Sequence, residues 1–432
     1  HKKTLKLKLK LECKLTNMRR PRFQSRPLLR SHAKSIKPLE IKSFLLKTSG
    51  KDVILDYSQL RIACFHFLSN ALPKGSTVAT SCYTIFDMVN VIINAGHKPF
   101  FVDIEKENLG PSIPQLIELV RTEKVQAVIY THLHGYRADL SSLASCCKEK
   151  NCLLIEDCAQ SLWNKNWDKI DFVPGSFGNA AIYSTGFFKG INTICGGLLT
   201  FNKDFHFSEK IINSHRSLKR KFSYDFIYRS VYAVLFKIVT TDLFFNFILF
   251  PVLKISWSRN FVWMNKRARE ENNPRYIHRE KNDILRMNLL QKFLLVFQSK
   301  NSLDKDYLVK LNLSNIYFSE LEDLIKNKII NIPGILEKDG RLTLEGISSL
   351  NQIPMLVSNR KELLDFLIFE GFDIAAQHIR NLSQTPPYDK YQKINDFVAE
   401  DVVKKIILLP CYPSYSAKNV YDLCKKIRTF YK

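Results

Sequence analysis

Four short apolar runs, each followed by an amphipathic stretch, constrain this chain more than any other feature. Thr77–Ser81, Lys98–Asp103, Ala127–Thr131 and Leu153–Asp157 are rich in β-branched or aromatic residues and bounded by turn residues. Such runs read as short buried strands. Between them lie helical patterns at Ile85–Asn94, Pro114–Arg121 and Leu140–Lys150. Strands alternating with helices predict an α/β chain with a mainly parallel sheet covered on both faces. In such sheets ligands sit beyond the carboxyl ends of the strands. Asp157 ends a predicted strand, so it falls on that edge.

Asp157 does not stand alone. The run Leu153-Leu-Ile-Glu-Asp157-Cys-Ala-Gln160 precedes Ser184-Thr-Gly-Phe-Phe-Lys189, which leads into Gly196-Gly197. An acid after a strand, a Gln three residues on, and a Ser and Lys five apart before paired glycines are the parts needed to hold pyridoxal phosphate (PLP). A lysine amine condenses with an aldehyde. An acid at the pyridine nitrogen makes the ring an electron sink. Each residue also has a plainer reading. Asp after a strand commonly caps the next helix, most lysines are solvated, and Ser184 could be a turn serine. It is the combination in register that favours the cofactor.

Other segments follow the same order: Lys74-Gly75-Ser-Thr-Val78, Ser81-Cys-Tyr-Thr84, Phe101-Val-Asp103-Ile and His132-Leu-His-Gly135. Near the end come Ile353-Pro-Met-Leu-Val357, Asn359-Arg-Lys-Glu-Leu-Leu364 and Leu408-Leu-Pro-Cys-Tyr-Pro413. Together they resemble the DegT/DnrJ/EryC/StrS-type sugar-nucleotide aminotransferases, from about Asp56 to the C-terminus. The resemblance implies a fold-type-I PLP-dependent transferase. Its large domain would carry a mostly parallel mixed sheet, followed by a smaller C-terminal α/β domain. It also implies a homodimer, with an amino group moving from an amino acid such as glutamate to a nucleotide-linked keto-sugar in polysaccharide synthesis.

The resemblance assigns roles. Lys189 would carry the cofactor and move the proton between the substrate Cα and the cofactor C4′. Asp157 would face the pyridine nitrogen, Gln160 the ring O3′, and Ser184 the phosphate. His132 would line the pocket. His132 and His134 alone are too few for a metal site, and none is expected. A dehydratase branch of the family has His in place of this lysine, so Lys189 favours transamination. Two positions depart from the family. Ser58-Gln59-Leu60 replaces a Ser-Gly-Thr or Ser-Gly-Arg phosphate cup. Ile85 stands where an aromatic usually stacks on the ring. Both predict weaker cofactor binding, and they keep a catalytically weakened binding or regulatory protein as an alternative.

The formal charge is +24, about half of it within residues 1–42. These read as a basic leader, disordered or partly non-native, with no secretory signal. The large domain is expected over 43–285 and the small one over 286–432. An aromatic-rich insertion at about 222–255 has basic clusters at both ends, Lys219-Arg-Lys221 and Lys266-Arg-Ala-Arg269. Neither half reaches the ~20 apolar residues of a spanning helix. It reads as a hairpin in peripheral contact with an anionic membrane, on the inner face. The bland alternative packs it on the core or a dimer partner. No helix-turn-helix, zinc or RNA-binding motif supports a nucleic-acid partner. The ten cysteines have no C-x-x-C pair and read as reduced thiols of a cytoplasmic protein.

Overall fold

The computed structural model describes residues 40–161, 172–261, 275–277, 284–297, 300–338, 341–344, 352–376, 379–395 and 397–432. Most of the expected leader and the 266–269 basic run lie outside them.

The main sheet has eight strands. In chain order they are β1 (Val53–Tyr57), β2 (Thr77–Ser81), β4 (Lys98–Val102), β5 (Ala127–Thr131), β6 (Leu153–Asp157), β7 (Ala180–Ser184), β8 (Gly197–Phe201) and the short β15 (Gln392–Lys393). Their spatial order is β1-β8-β7-β6-β5-β2-β4-β15. The block from β7 to β15 is parallel, while β8 runs antiparallel to both β7 and β1. This is the mostly parallel mixed sheet that was expected. The four strands read from the apolar runs and the three helices between them are all present, within one residue at each end.

Two-residue periodicity sends alternate side chains to opposite faces. In β5, Ala127 and Ile129 join one core with the Leu60–Ala71 and Phe86–Asn94 helices. Val128 and Tyr130 join the other, with the Ile113–Arg121 and Ser141–Glu149 helices. The sheet is thus buried on both sides, as its continuous apolar runs require. The nine described cysteines are buried thiols, none in a disulfide.

The C-terminal part has a second, antiparallel sheet of β9 (Ile330–Asn331), β12 (Gln352–Val357), β13 (Ala375–Ala376) and β16 (Ile406–Pro410), in the order β13-β16-β12-β9. Its core includes Leu313 and Tyr317 of the Lys300–Glu320 helix, with Leu363 and Leu367 of Arg360–Phe369. Leu423 and Ile427 of Ala417–Phe430 complete it. This part is stitched to the large sheet. Besides β15 on β4, β14 (Arg380–Asn381) pairs with β3 (Tyr83–Thr84). Asp103 accepts the N–H groups of Val398 and Ala399, each at 2.9 Å. Tyr136 Oη donates to the Pro333 carbonyl at 2.5 Å. Met287, Leu295 and Leu303, placed in the small domain by the sequence reading, pack in one cluster with Leu45, Tyr183 and Leu198.

The insertion is two helices, Tyr224–Val239 and Asp242–Ser258, bent by 67° at their junction. Ser223 caps the first, accepting the Phe226 N–H. The second contains a π-helical turn at Phe245–Leu249, just before Pro251. Proline lacks an N–H and crowds the preceding turn, which accounts for the widening. No single described helix is long and apolar enough to cross a membrane, though this bent pair passes by length and composition together.

Candidate active site

Strand direction brings the predicted residues to one edge. Asp157 ends β6, Ser184 ends β7, and His132 follows β5; all three strands are parallel and in register there. Because β8 and β1 reverse direction in turn, Gly197 at the start of β8 pairs with Ser184 and with Tyr57 at the end of β1. Ser58 and Gln59 follow Tyr57 at once. Six predicted positions, drawn from five separate places in the chain, therefore share the carboxyl edge.

Lys189 closes a loop folded on itself. Thr185 N–H donates to the Gly196 carbonyl at 3.0 Å and Thr193 N–H to that of Thr185 at 2.8 Å. The Thr185 and Thr193 hydroxyls meet at 2.7 Å in full burial. The Lys189 N–H donates to Gly186 O at 3.0 Å. The residue is half-buried. Burial pushes the Lys189 amine below the ordinary lysine value, and the charge of Asp157 acts against that. Asp157 is its counterpart. Burial pushes this carboxyl above the usual range, opposed by the Ala159 N–H, Lys189 and His132. Acid and amine thus sense each other in a site that disfavours both charges.

One Asp157 oxygen accepts the Ala159 N–H at 3.0 Å, closing a turn after β6; no helix follows it there among the described residues. Gln160 accepts the His134 N–H through Oε1 at 2.7 Å. That bond fixes which end of the amide is oxygen and leaves its NH2 as the donor end. Ser184 Oγ lies 3.4 Å from the Gly186 N–H. Ile85 precedes the Phe86–Asn94 helix and is 37 % exposed, as a residue covering an incoming ring would be.

His132 is anchored by a residue the sequence reading missed. Its Nε2 donates to Glu156 at 2.9 Å. Glu156, fully buried, also accepts the N–H groups of Gly175, Phe177 and Gly178 at 2.6–2.7 Å. Burial would raise its carboxyl; His132 and the amides outweigh that and hold it low. The signal was a charged residue inside an apolar strand, which needs buried partners. Cys158 lies close enough to make a metal-like triad with His132 and Glu156. Both Glu156 oxygens are already engaged twice, which speaks against an ion. His132 Nδ1 is buried with no hydrogen-bond partner among the described residues.

The phosphate end is built differently from the expected cup. Ser58 N–H donates to Leu285 O at 2.9 Å. Its carbonyl accepts Gln291 Nε2 at 3.0 Å. Gln59 stands at the N-terminus of the Leu60–Ala71 helix but makes no capping bond. Its amide nitrogen donates to Asp225 of the insertion, and its oxygen accepts Arg61 at 3.1 Å. Arg229 holds the same Asp225 oxygen at 2.8 Å. The departure from the family pattern is therefore a contact with the insertion. The glycine at 197 lets β8 touch this helix: a Cβ there would lie 2.5 Å from Leu60 N and Cα.

The family model of the DegT/DnrJ/EryC1/StrS aminotransferases matches residues 64–226. That match spans less than half of the chain, and over it the chain is similar to this family. Among its relatives, the pleiotropic regulatory protein of Geobacillus stearothermophilus is 32% identical over 158 residues, 36% of this chain and 41% of that protein. GDP-perosamine synthase of Vibrio cholerae is 32% identical over 142 residues, 32% of this chain and 37% of that protein. The aligned sequence thus spans about two fifths of these relatives. In shape the likeness extends further. The E. coli GDP-4-keto-6-deoxy-D-mannose-3-dehydratase, with bound hydrated PLP, superposes with a TM-score of 0.62. It covers 94% of this chain and 99% of its own at 15% identity. The chain therefore has the fold-type-I architecture, and PLP is the cofactor bound in this neighbour. The residues present fit it at the ring end, where the buried Asp157 acid, the half-buried Lys189 and a fixed Gln160 amide share the carboxyl edge. At the phosphate end they fit through Ser184 and the first amides of the Leu60–Ala71 helix, a natural anion seat.

Proposed function

We propose that this chain is a PLP-dependent aminotransferase. It would move an amino group, with glutamate the expected donor, to a keto-sugar carried on a nucleotide in polysaccharide synthesis. The observation that carries the reading is the placement of half-buried Lys189 and buried Asp157 together at the carboxyl edge of the sheet, where each feels the other's charge. Bound PLP supplies the aldehyde and the electron-poor ring. Lys189, favoured as the neutral amine by burial, supplies the nucleophile and then the base that moves the proton between substrate Cα and C4′. Asp157 holds the proton on the pyridine nitrogen. Gln160 donates to O3′, Ser184 and the helix amides take the phosphate, and Ile85 and His132 bound the ring. The same reading has a homodimer in the cytoplasm, with the 222–255 insertion in peripheral contact with the inner face of an anionic membrane.

A second reading is favoured by the Gln59–Asp225 contact, which sets a carboxylate near the phosphate end. It makes the chain a weakened binding or regulatory protein of the same fold. A dehydratase is disfavoured by Lys189. The experiment starts with the purified full chain and added PLP, followed by borohydride and mass spectrometry. A cofactor adduct on Lys189, with glutamate consumption in the presence of nucleotide keto-sugars, supports the aminotransferase. An adduct without turnover across the sugars supports the weakened protein. No adduct on Lys189 sinks the aminotransferase and leaves the weakened protein standing.

A further inference from the structure

The bent helix pair Tyr224–Ser258 inverts the usual order of a surface helix pair. Ile227, Val231, Leu235 and Ile238 form one face of its first helix and are 51–56 % exposed. Phe247 and Val252 on the second are 70 % and 44 % exposed. Little of either helix is turned inward: Phe226 and Ala233 are buried on the first, Phe245, Phe250 and Ser256 on the second. A contiguous outward apolar face of this extent marks an interaction surface.

Charge and composition favour lipid as its occupant. The two helices pass the membrane test only as a bent pair, which suits dipping into one leaflet rather than crossing. Exposed Lys219 and Lys221 precede the first helix, exposed Lys237 stands near the bend, and exposed Arg259 follows the second helix. These cations attract anionic headgroups. The long lysine stem lets Lys237 reach the headgroups while its neighbours are immersed. The bent pair also touches the site. Phe236 lies 5.7 Å from Phe187 and 5.3 Å from Phe188, the two residues before Lys189. Tyr232 lies 6.3 Å from Phe187.

We propose that this face seats the chain on an anionic lipid bilayer, immersed to the headgroup–acyl boundary, and so holds the Lys189 loop beside the membrane. The docking stands without the aminotransferase reading; only the role of Lys189 rests on it. The test uses the full chain and flotation with phosphatidylcholine vesicles, with and without phosphatidylglycerol. Wild type is expected to float with the anionic vesicles and less so at raised salt. The variant I227S/V231S/L235S, altered only at exposed positions, should bind at least about tenfold more weakly. K219E/K221E should lose the preference for phosphatidylglycerol. A fluorophore on Phe188→Cys should be quenched by headgroup-labelled lipid. Wild type left unbound, or an apolar variant floating as well as wild type, overturns the docking. So does an apolar variant that loses self-association alone, because a second copy then covers the face. Flotation without quenching at position 188 overturns the placement of the Lys189 loop. Flotation without PLP binding sinks the aminotransferase reading and leaves the docking; PLP binding without flotation does the reverse.

Discussion

Gly197→Ala is the sharpest probe of the phosphate end. A Cβ at this position would meet Leu60 N and Cα at 2.5 Å and Gln59 C at 2.6 Å, all backbone atoms. Ordinary contact begins near 3.4 Å, so the helix start must retreat by about 0.9 Å. No side-chain rotation relieves this, and overpacking of that kind costs about 1–3 kcal/mol. The same retreat moves the first amides of the Leu60–Ala71 helix away from Ser184, which pairs with residue 197. Urea denaturation should show the stability loss. Titration with PLP should show weaker binding, about tenfold for each 1.4 kcal/mol left unrelieved. Gly186→Ala is the control: its Cβ would find Ser184 Oγ at 3.5 Å and Lys189 Cγ at 3.9 Å, ordinary contacts. It should change stability by less than about 0.5 kcal/mol. A Gly197→Ala protein as stable as wild type, with equal PLP affinity, would refute the close-approach argument.

Lys189→Ala should abolish the borohydride-trapped adduct while leaving the urea midpoint nearly unchanged; an adduct that persists on another lysine would displace Lys189 from its role. In cofactor-free protein, Lys189 should be labelled by amine reagents at lower pH than exposed lysines. Asp157→Asn should shift that midpoint lower still, because it removes the charge that opposes the effect of burial; an upward shift would contradict it. Asp56 is held low: burial raises it, but the Arg220 hydrogen bond and charge, with Lys42 and Lys292, win. Its stabilisation is therefore present above the unfolded value of about 3.9 and lost as pH falls through the folded one. Asp56→Asn should cost about 2 kcal/mol at neutral pH, less than a fully buried pair because the Arg220 guanidinium stays partly in water. The gap to wild type, followed by urea melts, should narrow on acidification.

The carboxyl edge was legible because its parts carry local signals. Short apolar runs ending in Asp157 or preceding His132 announce parallel strands, and the Ser184–Lys189 spacing survives as a string. The antiparallel turn of β8 and β1 was not legible, since Gly197–Phe201 reads the same in either direction. Nor was the Gln59–Asp225 contact, whose partners lie 166 residues apart. Gln59 in isolation looked like a defect in a phosphate cup; in the fold it is one half of a polar link to the insertion. Glu156 sits beside Asp157 in the string but on the opposite side of the strand, so its buried partners Gly175, Phe177 and Gly178 show only in the fold. The two-residue strands β14 and β15 are too short to show any period.

Those two strands have a consequence for how the molecule can work. With the Asp103 and Tyr136 bonds, they fasten the C-terminal part to the large domain at four separate places among the described residues. A hinge needs one flexible crossing, and four crossings stiffen the joint against such a swing. On the proposed reading, a substrate entering from the strand edge is enclosed by loops moving against a fixed frame.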